Sequence, residues 1–172
     1  MIAMQLFTSS LLLLCLTSRL MAQSHEAPSK RLIGAWRLIS AEGKSPVFHF
    51  VFDHPRGLII YDASGRMSVQ IANIGDRKPF VNGPAAGTTG EKAAAFDGYN
   101  AYYGTYTIDT KNGTITHHIE DGTNPALRGG DNVRWFEFQD DDHLVLIAVE
   151  DGKGGVLARK DASYKIFWER IK

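Results

Sequence analysis

From Arg31 onward, the chain is a series of short apolar segments separated by turn-forming residues. Within several segments apolar and polar residues alternate, which is the period of two expected for a strand with one buried face. The pattern predicts strands over residues 32–41, 47–52, 58–61, 66–72, 102–109, 115–120, 132–139, 143–150 and 163–171.

Turn signals connect these strands in sequence. Asp62-Ala63-Ser64-Gly65 separates two apolar segments, and Lys111-Asn112-Gly113-Thr114 is a type I′ hairpin signal because Asn-Gly tolerates positive φ. Strands joined by hairpins are antiparallel, and closure of the sheet removes its exposed edges. We therefore expect an all-β protein, an antiparallel up-and-down barrel of about eight or nine strands, with a β-sandwich as the alternative.

One interruption of the strand pattern predicts a short helix. Residues 73–90 contain several Gly and Pro and form the longest irregular stretch, which is often functional or mobile in a compact domain. At the end of this stretch, Thr88 to Glu91 fit a capping box, and the Lys-Ala-Ala-Ala-Phe segment that follows is a strong helix former. We expect one short helix that ends before Gly104.

The first 22 residues differ in character from the rest of the chain. An apolar run over 11–16 is followed by the small residue Ala22, a pattern typical of a secretory signal. The run is shorter than the ~20 residues needed to cross a bilayer. We predict a signal peptide over 1–22, a flexible leader over 23–30 and one barrel domain over 31–172, in a secreted or periplasmic protein. Lipid anchoring through Cys15 is the alternative.

Composition narrows the possible partners. Lys plus Arg (19) equal Asp plus Glu (19), so no net field attracts nucleic acid or an acidic membrane. Cys15 is the only cysteine, so a chain cleaved after Ala22 has no disulfide and no thiolate metal ligand. No cofactor-binding fingerprint occurs. We expect no nucleic acid, no membrane insertion, no metal and no cofactor; the oligomeric state stays open.

His117 is the first residue that can carry chemistry. It shares a strand face with Ile115 and Ile119, so it is predicted to point inward, while His118 points outward and cannot share a metal with it. Three explanations remain. His117 is a core histidine held by a hydrogen bond, a ligand-binding or acid–base group, or a metal ligand, the last without any defensible ligand spacing from the other histidines.

Arg134 is the second such residue, because it alternates with Phe136 and Phe138 and is therefore predicted to point inward. A buried guanidinium must be paired, either with an internal carboxylate or with an anionic ligand. Tyrosines 61, 99, 102 and 106 can line the same interior with an apolar body and a polar tip. The candidate ligand-binding residues are Tyr61, Tyr102, Tyr106, His117 and Arg134.

A set of short motifs also follows in a fixed order along the chain. They are Gly34-x-Trp36, Gly57 to Tyr61, Gly65 to Ser68, Tyr102 to Tyr106, Thr116 to His118, Asn124-Pro125, Arg134-x-Phe136 and Phe167 to Arg170. In this order and spacing, the segment from about residue 31 to 171 resembles the small lipocalin-like domain family. The family pattern has a Trp or similar residue after Asn-Pro, where this chain has Ala126-Leu127.

The resemblance implies a calycin-type barrel with an internal cavity, and it implies no particular reaction. As in lipocalins, Trp36 is expected to close one end of the barrel beneath a basic residue of the last strand, which is Arg170.

The first functional hypothesis is an exported, non-catalytic barrel that binds a small hydrophobic or amphipathic molecule in its interior.

Two alternatives to a binding protein remain. The first is a cyclase- or isomerase-type enzyme in which His117 is the acid–base group and Tyr106 or Arg134 stabilises negative charge. The second is a filled barrel with a purely structural or interaction role.

Overall fold

The computed structural model describes residues 27–43, 55–72, 77–148 and 164–172. Within these ranges the chain forms one closed antiparallel barrel in which each strand pairs with its neighbour in sequence and the last strand pairs with the first. The predicted barrel is therefore confirmed. Its strands are β1 (Gly34–Glu42), β2 (Arg56–Tyr61), β3 (Arg66–Ala72), β4 (Tyr99–Asp109), β5 (Thr114–Gly122), β6 (Asp131–Phe138), β7 (His143–Ala148) and β8 (Lys165–Arg170).

Most strand predictions agree with these bounds to within a few residues. The largest difference is at β4, which begins at Tyr99 rather than Tyr102 because residues 99–101 already pair with the end of β3. The predicted strand over 47–52 and the predicted signal peptide lie outside the described residues.

The predicted helix is confirmed as α2 (Thr89–Asp97). Its capping box is present: the Thr88 hydroxyl accepts from the Glu91 amide at 3.3 Å, and the Glu91 carboxylate accepts from the Thr88 amide at 2.7 Å. No residue of α2 is buried, so its own cap rather than core packing defines where it begins. No described helix has both the length and the apolar content that crossing a membrane requires.

Two further helical segments were not predicted. A short helix, α1 (Pro28–Leu32), precedes β1 and covers residues 28–30 of the expected leader and the first residue of the expected strand. Leu32 is fully buried, which anchors α1 to the core. A 3-10 turn, Pro125–Leu127, follows β5, and Leu127 packs against the core close to the place where the family pattern has an aromatic residue.

The connection between β4 and β5 differs from the predicted type I′ turn. The last residue pair of the hairpin is Asp109 with Thr114, which leaves a four-residue loop. The Asp109 carboxylate accepts from the amides of Lys111 and Asn112, and Gly113 adopts a φ of +67°. The prediction of a two-residue type I′ turn was therefore wrong. The Asp109 side chain, which lies outside the Asn-Gly pair, accepts hydrogen bonds from the amides of a wider, four-residue loop.

The barrel has two distinct ends. Because the strands are antiparallel, α1 and the short connections over 62–65, 110–113 and 139–142 lie at one end, named here the α1 end. At the opposite end lie the C-terminal ends of β1, β3, β5 and β7 and the N-terminal ends of β2, β4, β6 and β8. Between the ends, inward side chains of every strand form one apolar core.

Candidate functional site

His117 lies on the inner face of the barrel, as predicted. Its exposed fraction is 1%, and the flanking inward residues Ile115 and Ile119 are 0% and 4% exposed. His118 points outward, where its Nδ1 lies 2.7 Å from a carboxylate oxygen of Asp131. The alternation of β5 therefore separates the two histidines, one in the core and one on the surface.

Each ring nitrogen of His117 lies within hydrogen-bond distance of one tyrosine hydroxyl. The Tyr61 hydroxyl lies 2.8 Å from Nε2, and the Tyr102 hydroxyl lies 2.9 Å from Nδ1. The side-chain amide of Asn132 in turn donates to the Tyr102 hydroxyl at 3.2 Å. We call these four residues the His117 cluster. It combines β2, β4, β5 and β6 in one hydrogen-bonded group.

Asn132 was missed in the sequence, although a signal for it was present. It precedes Arg134 by two residues, so the alternation that places Arg134 inward places Asn132 inward as well. In the barrel its Cα pairs directly with that of His117 across β5 and β6.

The cluster is uncharged at neutral pH. Burial, followed by the positive charge of Arg134 and then by His118, lowers the pKa of His117 to about 3. Burial raises the pKa of Tyr61 and of Tyr102 above the usual tyrosine value. Desolvation penalises the charged form of each group, so neutral imidazole and neutral phenols are the stable species.

Arg134 lies beside this cluster on the inner face of β6. It sits two residues from Asn132 and two from the buried Phe136, and its Cα pairs with that of Ile115. Its positive charge acts to lower the pKa of Tyr61, Tyr102 and His117.

No carboxylate balances this charge within the described ranges. The Nη1 atom of Arg134 donates to the backbone carbonyl of Val133 at 2.8 Å, and no ion pair joins Arg134 to an Asp or Glu of the described segments. The neighbouring acidic residues of β6, Asp131 and Glu137, are exposed on the outer face. Of the two partners considered for Arg134, an internal carboxylate is therefore not found among these residues.

The remaining tyrosines have different positions. Tyr106 is partly buried and packs edge-on against Tyr61 at 5.0 Å between ring centres, but its hydroxyl donates to the backbone carbonyl of Asp62. Tyr99 lies on the outer face, where its hydroxyl donates to Gln70 and the Arg77 guanidinium lies over its ring. The expectation that Tyr99 lines the interior was wrong because its position is odd-numbered in β4, whereas the inward Tyr102 is even-numbered.

Two other features of the described residues lie apart from the His117 cluster. The indole Nε1 of Trp168 is buried and has no hydrogen-bond partner in the described part of the chain. A groove of about 890 Å³ lies between residues 77–84 and α2, and none of the residues lining it comes from a barrel strand. Among the described residues, no three side chains of His, Cys, Asp or Glu approach one another closely enough to hold a metal ion.

The chain is similar to a protein family and to several solved structures. Curated proteins give no match. Solved structures similar to the chain include a redesigned β-barrel, with a TM-score of 0.41 and 11% identity over 84% of this chain and 95% of that one. Another is a de novo designed fluorescence-activating β-barrel, with a TM-score of 0.38 and 8% identity over 83% and 96%. The family described as a lipocalin-like domain matches residues 33–171, from before β1 to after β8. The chain therefore belongs to the lipocalin-like domain family.

Proposed function

We propose that this protein is a non-catalytic barrel that binds a small, largely apolar molecule in its interior. The observation that carries this proposal is Arg134, a guanidinium on the inner face with no carboxylate partner in the described segments. Arg134 is partly buried, and a charge withdrawn from water is costly unless it is paired, so an anionic or polar ligand is a partner that fits the site.

The rest of the interior suits such a ligand. Ligand sites are mostly apolar, with a few polar groups that fix orientation. Here Ile115, Ile119 and Phe136 provide apolar surface, and the His117 cluster and Arg134 provide the polar groups. This combination favours a molecule with an apolar body and one polar end.

The enzyme alternative has less support. An efficient general acid or base has a pKa near the working pH, whereas the pKa of His117 is lowered to about 3. Both of its ring nitrogens are also held by tyrosine hydroxyls. The Tyr106 hydroxyl, the expected charge stabiliser, is bonded to the carbonyl of Asp62. These contacts favour binding over acid–base chemistry.

Native mass spectrometry of the protein purified from its own source tests the proposal. We expect a mass increment of a few hundred daltons that disappears when the protein is denatured, extracted and refolded. The refolded protein should then bind 1-decanol or 2-naphthalenemethanol, two neutral probes, as measured by calorimetry. A barrel that carries no molecule and binds neither these alcohols nor the corresponding acids, decanoate and 2-naphthoate, would be a filled one, and the proposal would be wrong.

We also propose that the protein is exported and begins near Gln23. The support is the apolar run over 11–16 and the small residue Ala22, both outside the described residues. N-terminal sequencing of the secreted or periplasmic protein should find Gln23 within about two residues. An intact Met1 on cytosolic protein would contradict export.

A further inference from the structure

This inference rests on the proposed function and specifies the ligand. We propose that the polar end of the ligand is an anion, a carboxylate or an enolate, which receives hydrogen bonds from the Arg134 guanidinium and from the Tyr61 hydroxyl.

The number of hydrogens in the His117 cluster supports this. A neutral imidazole has one N–H donor and one lone-pair acceptor, so it can accept from only one of its two tyrosine partners. The other tyrosine must accept from the ring. The hydroxyl hydrogen of that second tyrosine is then left without an acceptor among the described residues.

The Asn132 amide indicates which tyrosine has the remaining hydrogen. Tyr102 already accepts from Asn132. If Tyr102 also donates to Nδ1, its hydroxyl has one donor and one acceptor partner, and Nε2–H donates to Tyr61. In the other tautomer, Tyr102 would accept from two donors and donate to none. The balanced arrangement leaves the Tyr61 hydrogen without an acceptor, on a side chain that is 1% exposed.

Arg134 provides the second set of donors and the charge. The guanidinium carries five N–H groups, and the described residues account for one hydrogen bond, to the Val133 carbonyl. The inner faces of the described strands provide donors and a positive charge but no Asp or Glu. A ligand with an ionised oxygen accepts hydrogen bonds from these donors and also balances the positive charge of Arg134. The low dielectric of the interior strengthens this ion pair.

The test compares acids with matched alcohols on the purified protein at pH 7.5. Decanoate is compared with 1-decanol, and 2-naphthoate with 2-naphthalenemethanol, all by calorimetry. In at least one pair the acid should bind at least about tenfold more tightly than its alcohol, which corresponds to ~1.4 kcal/mol.

Two substitutions probe the donors. Arg134→Met should weaken binding of that acid by about 10- to 100-fold, the effect of losing hydrogen bonds to a charged group, and leave alcohol binding within about twofold. Tyr61→Phe should weaken acid binding by about 3- to 10-fold, since it removes a neutral donor. Arg37→Met is the matched control, because Arg37 is an exposed arginine on the outer face that pairs with Glu169, and it should change neither affinity.

The possible outcomes separate the two proposals. Alcohols that bind the wild-type protein as tightly as the acids, or an Arg134→Met variant that loses both equally, would overturn the anion site and leave the binding function standing. Wild-type protein that binds none of the four probes would overturn both. If Arg134→Met does not fold, as judged by circular dichroism, the acid-to-alcohol preference of the wild-type protein decides the question.

Discussion

The guanidinium of Arg170 lies over the indole of Trp36, 4.1 Å from its ring centre. The two residues are paired in register across β1 and β8, so barrel closure itself brings them together. Arg170 also donates to the carbonyls of Ile33 and Arg31 in and next to α1. Gly34 completes the contact: its φ is +133°, and a Cβ there would lie 3.0 Å from the guanidinium. Trp36 and Arg170 were expected to close one end of the barrel together, and their contact at the α1 end confirms this expectation.

Replacing Arg170 with Ala should destabilise the barrel without affecting its ligand. The change removes a cation–π contact of about 0.5–2 kcal/mol and leaves carbonyls of the α1 segment without donors. We expect the free energy of unfolding in urea to fall by about 2–4 kcal/mol. Arg37→Ala, which removes an exposed ion pair with Glu169, should cost less than about 1 kcal/mol. Equal losses in the two variants would contradict the assignment.

Gly104 should tolerate no side chain. It lies on the inner side of β4, where the pairing with β5 shifts register, and a Cβ there would approach the carbonyl oxygen of His118 to 1.9 Å. Gly104→Ala should therefore lower the free energy of unfolding by about 3 kcal/mol or more. Gly90→Ala is the control, since its Cβ would meet no atom within 4 Å and helix α2 gains a better helix former. A thermal melt of Gly104→Ala that matches the wild type would refute the prediction.

The two tyrosines of the His117 cluster should differ in their effect on stability. Tyr102→Phe leaves both His117 Nδ1 and the Asn132 amide without a partner, whereas Tyr61→Phe affects only Nε2. Each unsatisfied buried polar group costs about 1–3 kcal/mol, so Tyr102→Phe should lose more stability in urea. Tyr103→Phe, at an outward position that is 47% exposed, should be close to neutral. A larger loss for Tyr61→Phe would mean that the bond to Asn132 contributes little.

His117 should make stability depend on pH above the range in which carboxylates titrate. Its pKa is about 3 in the folded protein and ordinarily 6.5, so between these values the unfolded chain binds more protons. Stability therefore rises with pH over this window and levels off above about 6.5. The loss between pH 6.5 and 4.5 should be about 2–3 kcal/mol.

Replacement of the titrating group isolates this effect. His117→Gln is expected to be less stable at pH 7 but to show a much flatter dependence between pH 4.5 and 6.5 in urea titrations. The carboxylates whose pKa is lowered in the folded protein contribute mainly below about pH 4, and both proteins should show that decline. They are Asp62, Glu91, Asp109 and Asp140. Equal slopes in both proteins above pH 4.5 would contradict the assignment to His117.

The sequence by itself determined the features that depend on neighbours along the chain. Alternation over two residues is a local property of a strand, so it was enough to place His117 and Arg134 on inward faces. The capping box of α2 is equally local, since its donors and acceptors lie within four residues. A run of hairpin-linked strands also allowed few topologies other than the closed barrel.

Tertiary structure alone decided which of these residues meet. The Tyr61 hydroxyl reaches His117 from 56 residues away in sequence, and Asn132 lies opposite His117 on β6, where it binds the Tyr102 hydroxyl. These placements depend on strand register and on the closed barrel. Helix α1 is five residues long, too short to be stable in isolation, and it forms because Leu32 is buried and Arg170 binds its carbonyls. Such contacts join positions far apart in the chain, so no local pattern specifies them. The register of β5 and β6 places Asn132 opposite His117, and the pairing of β1 with β8 brings Arg170 to α1.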